Sequence, residues 1–373
     1  MDQARTSLKA NILIAPLDWG LGHATRCIPV IHAFLKHNCN VLIAADRKVK
    51  LLLEKEFPEL PFVDLKGYDV AYSKSKYAFP FVIGKQIPKI LSAIQHENDR
   101  IDEIVEEHKI DGIVSDNRYG FYHDDIPSVF ITHQLLIKTY LGKIADEYLQ
   151  KFNYDYINQF TECWVPDNEG ALNLAGELSH PEIHPAIPLK YVGPLSRFQK
   201  EDPAIQKHLL IVLSGPEPQR TIFENLVVEQ LQDYTSPVVL VRGLPATSNQ
   251  LQLPSNISVF DHLPSNEFNK KMEEATLVIS RGGYSTIMDL AILKKKSILI
   301  PTPGQTEQEY LAKHLMKINF ALSIDQQKFK LKAALKLANS FQYTVSGFPV
   351  ENKLEETVKS FLFTLKTKRA SAI

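Results

Sequence analysis

The sequence has few cysteines, no long hydrophobic run and almost no net charge, and each of these features argues against a class of protein. Its three cysteines, Cys27, Cys39 and Cys163, form no Cys-x-x-Cys pair and no zinc-type spacing, so we expect reduced thiols and a cytoplasmic protein. No stretch approaches the roughly 20 apolar residues of a membrane span. The first apolar run, 12–17, is too short for the core of a signal peptide. The net charge is −1, so we expect no nucleic-acid partner.

Two common patterns of nucleotide and metal sites are also absent. A buried strand over 10–16 leads through Gly20-x-Gly22-His23 into a helix, but this loop lacks the G-x-G-x-x-G fingerprint of dinucleotide-binding proteins. No Asp-x-Asp triplet follows a predicted strand, and the adjacent pair Asp124-Asp125 is more typical of a solvated loop. We therefore expect no carboxylate metal site.

What is present is a regular alternation of strands and helices over 373 residues, enough chain for two domains. Hydrophobic residues make up 44% and charged residues 23%, the balance of a globular protein. The alternation predicts an α/β fold with a mostly parallel sheet in each half. We place the first domain at residues 1–193, a linker at 193–202, the second domain at 203–350 and a last helix within 351–373.

In the first half, four predicted strands end in polar loops: Asp18–His23, Ala45–Lys48, Asp116–Tyr119 and His133-Gln134. Because the carboxyl ends of parallel strands meet at one edge of a sheet, these loops should line one cleft. His23 is a candidate general base there, and Asp116 could fix its tautomer through the far ring nitrogen. The alternatives are that His23 only contacts an anion, that Asp116 caps a helix, and that His133 is the base.

In the second half, the stretch from Thr276 to Leu311 contains a strand, a Gly282-Gly283 turn, a short helix and a second strand. A helix N-terminus beside glycines is a ready anion site. We expect Ser285 and Thr286 to cap this helix. An ordinary βαβ unit without a ligand is the alternative.

The order and spacing of several residues here resemble the donor-sugar motif of GT-B glycosyltransferases, in particular the family-28 group: Ser280-Arg281-Gly282-Gly283, Asp289 and Gln308-Glu309. The resemblance implies two Rossmann-like domains facing across a cleft, with the last helix crossing back onto the first domain. It also implies that Asp289 holds the nucleotide ribose and that Gln308 and Glu309 hold the sugar. The diphosphate would lie at the amides after Gly283, with Ser285 and Thr286 beside it. The family acid is usually Glu, so Asp289 is one methylene shorter.

Other positions resemble the family more weakly. Gly22 and His23 resemble the first glycine loop of the family. Gly215 is the only glycine here that matches the family's second glycine loop. Phe260 lies where the family contacts the nucleotide base. Arg242 or Arg281 could add positive charge at the diphosphate; a structural, salt-bridged role is the alternative for Arg281. The His23–Asp116 pair resembles the base of family-1 enzymes. His133-Gln134 resembles a His-Glu-Gln-Asn stretch of the family-28 enzymes that make lipid II of peptidoglycan, but the Glu is missing.

The resemblance implies an inverting, metal-independent transferase that uses a nucleotide sugar, most readily a uridine diphosphate N-acetylhexosamine, as co-substrate and needs no other cofactor. A hydrolase or an epimerase of the same fold and a non-catalytic binder remain alternatives, and the acceptor stays unassigned. The segment Tyr72–Lys85 mixes aromatics with lysines. Such a segment suits a lipid-linked acceptor or peripheral contact with a membrane, while a solvated loop is the alternative.

Overall fold

The structure, a computed structural model, describes residues 9–65, 67–68, 79–201, 207–244 and 250–371, with the backbone alone at 47–48, 79–87 and 369–371. The segment 72–85, considered above for acceptor or membrane contact, therefore lies outside the described residues, except for the helical backbone of its end. Within the described ranges, no helix is long and apolar enough to cross a membrane.

The first domain is built on a seven-stranded parallel sheet with the order β3-β2-β1-β4-β5-β6-β7. Its strands are β1 Asn11–Pro16, β2 Asn40–Ala45, β3 Phe62–Asp64, β4 Gly112–Asp116, β5 Ser128–Ile131, β6 Glu162–Val165 and β7 Leu189–Tyr191. Its helices are α1 Leu21–Lys36, α2 Arg47–Glu56, α3 Phe79–His108 and α4 Lys143–Ile157.

The second domain has a six-stranded parallel sheet with the order β10-β9-β8-β11-β12-β13. Its strands are β8 His208–Val212, β9 Val238–Val241, β10 Ile257–Phe260, β11 Ala275–Ser280, β12 Ser297–Leu299 and β13 Leu322–Ser323. The helices that follow the linker are α5 Gln219–Leu231, α6 Ser265–Glu273, α7 Tyr284–Ile292, α8 Thr306–Lys317, α9 Leu331–Ser340 and α10 Leu354–Ser371.

The strands are continuous aliphatic runs because helices cover both faces of each sheet. In β1, for example, Ile12, Leu13, Ile14 and Ala15 are all fully buried, and alternate residues belong to different core clusters. The order of elements agrees with the sequence prediction. One helix is unusual: α3 starts at Phe79 and runs through Pro88, although proline more commonly occupies the first turn of a helix. Pro88 lies at an exposed position, and its fixed φ is compatible with a helix, so the lost backbone bond does not end the helix.

The chain crosses between the domains twice. At the first crossing Gly193 adopts φ +79°, and a Cβ atom there would lie 1.9 Å from the Glu351 carbonyl oxygen, so the position accepts only glycine. After the second crossing α10 packs on the first domain, where the Phe361 ring meets Phe34 at 6.2 Å and Trp164 at 5.9 Å between centroids, both edge-on. The two crossings therefore lie side by side and form the hinge region between the sheets.

Candidate active site

The two domains approach each other closely where the first turn of α1 meets the first turn of α7. A Cβ atom at Gly22 would lie 2.8 Å from Ser285 Oγ, so a larger residue here would have to displace the Ser285 side chain. Each helix begins with backbone N–H groups that have no partner inside the helix. Two such ends at one place form an electropositive region in the cleft.

The predicted capping of α7 by Ser285 and Thr286 is wrong. The helix begins at Tyr284, its N-cap is Gly283, and no side chain bonds the capping position. Ser285 and Thr286 lie inside the first turn and are half-buried. A Cβ atom at Gly283 would meet nothing within 4 Å, so there is open space beside the start of this helix.

On the first-domain side, three side chains converge on the end of β4. Asp116 is fully buried and accepts from Arg26 Nε at 2.9 Å and 2.7 Å on its two oxygens, and Arg26 Nη2 also binds its Oδ1. His23 Nδ1 lies 3.2 Å from Asp116 Oδ1 and 3.0 Å from Arg26 Nη2. The structure thus brings His23 and Asp116 together, as the strand ends indicated, and adds Arg26 between them.

The local charges set the ionisation of this group. Burial would raise the pKa of Asp116, but Arg26 and His23 outweigh burial and hold it below its usual range, so the carboxylate is ionised. Burial, with the Arg26 charge in addition, lowers the pKa of His23 from its ordinary 6.5, against the opposing effect of Asp116. The imidazole of His23 is therefore neutral near pH 7, the state that a general base requires.

The third predicted catalytic residue, His133, joins the two domains. Its Nε2 lies 2.8 Å from Glu307 Oε1 at the start of α8, and its Nδ1 lies 3.2 Å from Arg26 Nη1. Its ring stacks on Tyr284, with centroids 3.9 Å apart and planes within 4°. The Tyr284 hydroxyl in turn donates to the Pro166 carbonyl at 2.8 Å. These contacts close the cleft beside His23.

Glu307 was not singled out from the sequence. Burial would raise the pKa of its carboxyl, but His133, His23 and Arg26 hold it below its usual value, so Glu307 is a carboxylate that contacts His133 of the other domain. Arg26 was also missed, although its position three residues after His23 places both on one face of α1.

Among the predicted donor residues, Asp289 is half-buried and accepts from Ser196 Oγ at 2.5 Å. Burial raises the pKa of Asp289 to about 6, with Arg197 and Ser196 acting in the other direction. Gln308 and Glu309 hold the preceding loop: they accept from the backbone N–H of Thr302 at 3.0 Å and of Gly304 at 3.1 Å. Asp289, Gln308 and Glu309 keep their predicted ligand roles as proposals.

Other predicted donor residues are engaged inside the second domain. Arg281 is 1% exposed, donates to the Gln219 carbonyl at 2.7 Å and lies 4.4 Å over the Phe223 ring, so its contacts are those of a structural residue. Arg242 is buried and bonds Glu224 at 2.5 Å and Asp261 at 2.8 Å.

The remaining donor positions differ in their surroundings. Ser280 is fully buried, and its hydroxyl has no hydrogen-bond partner among the residues that the structure describes. Gly215 follows β8 with φ +98°, Phe260 is half-buried at the end of β10, and Gly282 packs against α8, since its Cβ would lie 3.4 Å from the Gln308 carbonyl oxygen. In the described ranges, no group of three or more His, Cys, Asp or Glu side chains could hold a metal ion.

Two parallel α/β domains that face each other across this cleft define the GT-B class of fold. The whole chain resembles the glycotransferase of kitacinnamycin, with a TM-score of 0.63 and 16% identity over 98% of this chain and 99% of that one. It also resembles MurG of Acinetobacter baumannii, with a TM-score of 0.56 and 14% identity over 95% of this chain and 99% of that one. The predicted fold is confirmed.

The second domain carries the family likeness. Residues 220–359 match the model of the glycosyltransferase family 28 C-terminal domain, which confirms the resemblance stated from the sequence. Over 158 residues the chain is 30% identical to the UDP-N-acetylglucosamine--N-acetylmuramyl-(pentapeptide) pyrophosphoryl-undecaprenol N-acetylglucosamine transferase of Methylorubrum extorquens (strain PA1). This similarity covers 39% of the present chain and 42% of the relative, so the chain spans about two fifths of that relative's length.

Proposed function

We propose that this protein is an inverting, metal-independent glycosyltransferase that moves a hexose or N-acetylhexosamine from a uridine diphosphate sugar to a lipid-linked acceptor. The observation that carries the proposal is the contact of Gly22 with the N-terminus of α7, because it sets the candidate base His23 beside an anion-binding helix end. The family 28 match supports a nucleotide-sugar donor, and the substrates in the name of the Methylorubrum relative support UDP and a lipid-linked acceptor.

In the proposed reaction, the acceptor hydroxyl attacks C1 of the sugar while the bond from C1 to the diphosphate oxygen breaks. The hydroxyl proton passes to Nε2 of His23, which makes no hydrogen bond with any residue described here. Asp116 holds the opposite side of the ring and stabilises the imidazolium that forms, and Arg26 keeps Asp116 ionised. Attack from the side opposite the leaving group inverts the configuration at C1.

The leaving uridine diphosphate is stabilised by the first turn of α7. Its open backbone amides and the helix dipole favour negative charge, and Ser285 and Thr286 add hydroxyl donors. We propose that these groups replace a metal ion, since the sequence has no Asp-x-Asp triplet. Asp289 binds the ribose diol, and Gln308 and Glu309 bind the sugar hydroxyls.

The acceptor's apolar part fits a stripe of exposed side chains on and before α4. Leu141, Ile144 and Tyr148 are 73%, 85% and 74% exposed at helical spacing. Tyr140, next to Leu141, lies near Glu309 of the other domain: burial raises the pKa of its hydroxyl, and the Glu309 charge raises it further. The stripe therefore adjoins the proposed sugar site. Replacing Leu141 and Ile144 by Ser should weaken transfer to a lipid-linked acceptor but not to a short-chain analogue. The control is Leu51→Ser, at an exposed position on α2.

The test of the proposed function is a panel of nucleotide sugars, each scored first by the rise in melting temperature and then by product analysis. A transferase produces uridine diphosphate rapidly only when acceptor is present. A hydrolase releases free sugar without acceptor, an epimerase exchanges solvent deuterium into the sugar, and a binder shows saturable affinity without turnover. Any of these three results would contradict the proposal.

A further inference from the structure

The linker between the domains makes a specific contact with the proposed donor site. Ser196 Oγ donates to Asp289 Oδ1 at 2.5 Å and accepts from the Phe198 backbone N–H at 3.0 Å. The preceding residue, Leu195, points its backbone N–H at Met288 Sδ at 3.2 Å. The Ser196 hydroxyl therefore has a defined orientation: its O–H donates to the Asp289 carboxylate, and its oxygen accepts from the Phe198 backbone N–H.

Asp289 is held at one oxygen and open at the other. It lies four residues after Ser285, so both side chains share the face of α7 that meets the cleft at Gly22. Its side chain is half-buried, and within the described ranges its Oδ2 makes no hydrogen bond. A free Asp on a helix samples several rotamers, and one short bond to a charged oxygen selects one of them.

We propose that Ser196 is a positioning residue for the donor nucleotide: it fixes the Asp289 carboxylate so that the second oxygen meets the ribose. This inference rests on the proposed function, because it takes the ribose as the ligand of Asp289. Since Ser196 belongs to the hinge, the ribose contact forms fully only when the linker lies against α7.

The same hydroxyl acts on the ionisation of Asp289. Burial raises the pKa of this carboxyl to about 6, while Arg197 and the bond from Ser196 lower it. Removing the bond raises the pKa further. Because the carboxylate is the form that binds the ribose diol, donor affinity then falls off at a higher pH than in the wild type.

The experiment compares Ser196→Thr, which keeps a hydroxyl, with Ser196→Val, which has nearly the same shape as Thr but no hydroxyl. Calorimetry gives the Kd of uridine diphosphate and of its 2′-deoxy analogue between about pH 5 and about pH 8. This range includes the pKa of Asp289, which is about 6. We expect Ser196→Thr to resemble the wild type and Ser196→Val to bind uridine diphosphate about tenfold more weakly. The 2′-deoxy analogue should lose less affinity than uridine diphosphate. The pH at which donor affinity is half lost should rise only in Ser196→Val.

Ser265→Ala is the matched control. The Ser265 hydroxyl accepts from Arg197 Nη1 at 3.2 Å, so it holds the same linker without bonding Asp289. Its loss should shift the pH midpoint less than the Ser196→Val change, because the bond from Ser196 to Asp289 stays in place. If Ser196→Val does not fold, Ser196→Ala against Ser265→Ala gives the same comparison.

Equal Kd values and equal midpoints for Ser196→Thr and Ser196→Val would overturn the inference. Asp289→Asn separates this failure from failure of the proposed function. If Asp289→Asn leaves uridine diphosphate binding unchanged, the proposed donor site is wrong. If Asp289→Asn weakens binding while Ser196→Val does not, the donor site stands and the role of Ser196 is wrong.

Discussion

Replacing Arg26 by Met should destabilise the first domain strongly, because it leaves a buried carboxylate without its counter-ion. Arg26 is 4% exposed and Asp116 is fully buried, and Nε of Arg26 lies 2.9 Å and 2.7 Å from the two carboxylate oxygens. Removing one partner of a buried ion pair costs about 3–5 kcal/mol. For a domain of this size each kcal/mol lowers the melting temperature by about 2–4 °C, so we expect a fall of roughly 6–20 °C.

Calorimetry or circular dichroism measures this change, and two variants test its cause. In Arg26→Met combined with Asp116→Asn, the uncompensated charge is gone, so most of the lost stability should return. Arg100→Met removes an arginine from an exposed pair with Glu103 and should cost less than about 1 kcal/mol. A melting temperature for Arg26→Met that matches the Arg100→Met control would refute the reasoning.

The same variant has a second, independent readout at His23. The Arg26 charge is one of the causes that lower the pKa of this imidazole, after burial. Without Arg26 the pKa of His23 rises, and the neutral base is then lost at a higher pH. The acid limb of the kcat/KM profile should therefore move to higher pH, measured at a temperature where the variant is still folded. An acid limb that stays in place would show that His23 is not the group that titrates.

Three further predictions concern chemistry and closure. His23→Ala should abolish turnover and leave donor Kd within a few-fold, whereas equal loss of both would make His23 a phosphate contact. A chelator should not inhibit, and full loss with recovery by Mn²⁺ would contradict the metal-free proposal. Glu307→Gln should weaken the contact with His133 and enlarge the particle seen by X-ray scattering without nucleotide, while donor nucleotide still closes it. Identical profiles for wild type and variant would argue against a closing role for Glu307.

The sequence was sufficient for the order of the elements because each buried strand of a parallel sheet is a continuous aliphatic run. It was less informative at helix starts, where the signals conflict. Proline commonly marks a helix start, but Pro88 lies within α3. The hydroxyls of Ser285 and Thr286 suggested a cap, but Gly283 occupies the capping position. A cap depends on backbone dihedrals at one residue, which composition does not determine.

The candidate site could be predicted only where it follows from strand ends. His23 lies just after β1, and Asp116 is the last residue of β4. Because β1 and β4 are neighbours in the sheet, the pairing of these two side chains could be expected. Glu307 could not be found in this way, because its partner His133 is 174 residues away and in the other domain. Arg26 carried a usable signal, its spacing of three residues from His23, but a buried Arg on a helix is an unusual arrangement that apolar periodicity does not reveal.

The contacts in the closed cleft favour one of the two candidate bases. Arg26 has donors only, so at 3.2 Å from it Nδ1 of His133 must accept, and the ring proton then lies on Nε2 and is donated to Glu307. Both nitrogens of His133 are thus occupied, and neither can take a proton from an acceptor while the domains are in contact. Nδ1 of His23 lies 3.2 Å from Asp116 Oδ1 and 3.0 Å from Arg26 Nη2, so Nδ1 carries the ring proton only when it donates to Asp116. In that tautomer Nε2, which makes no hydrogen bond with the described residues, can take a proton. We therefore propose His23 in this tautomer as the base and His133 as a residue that holds the two domains together.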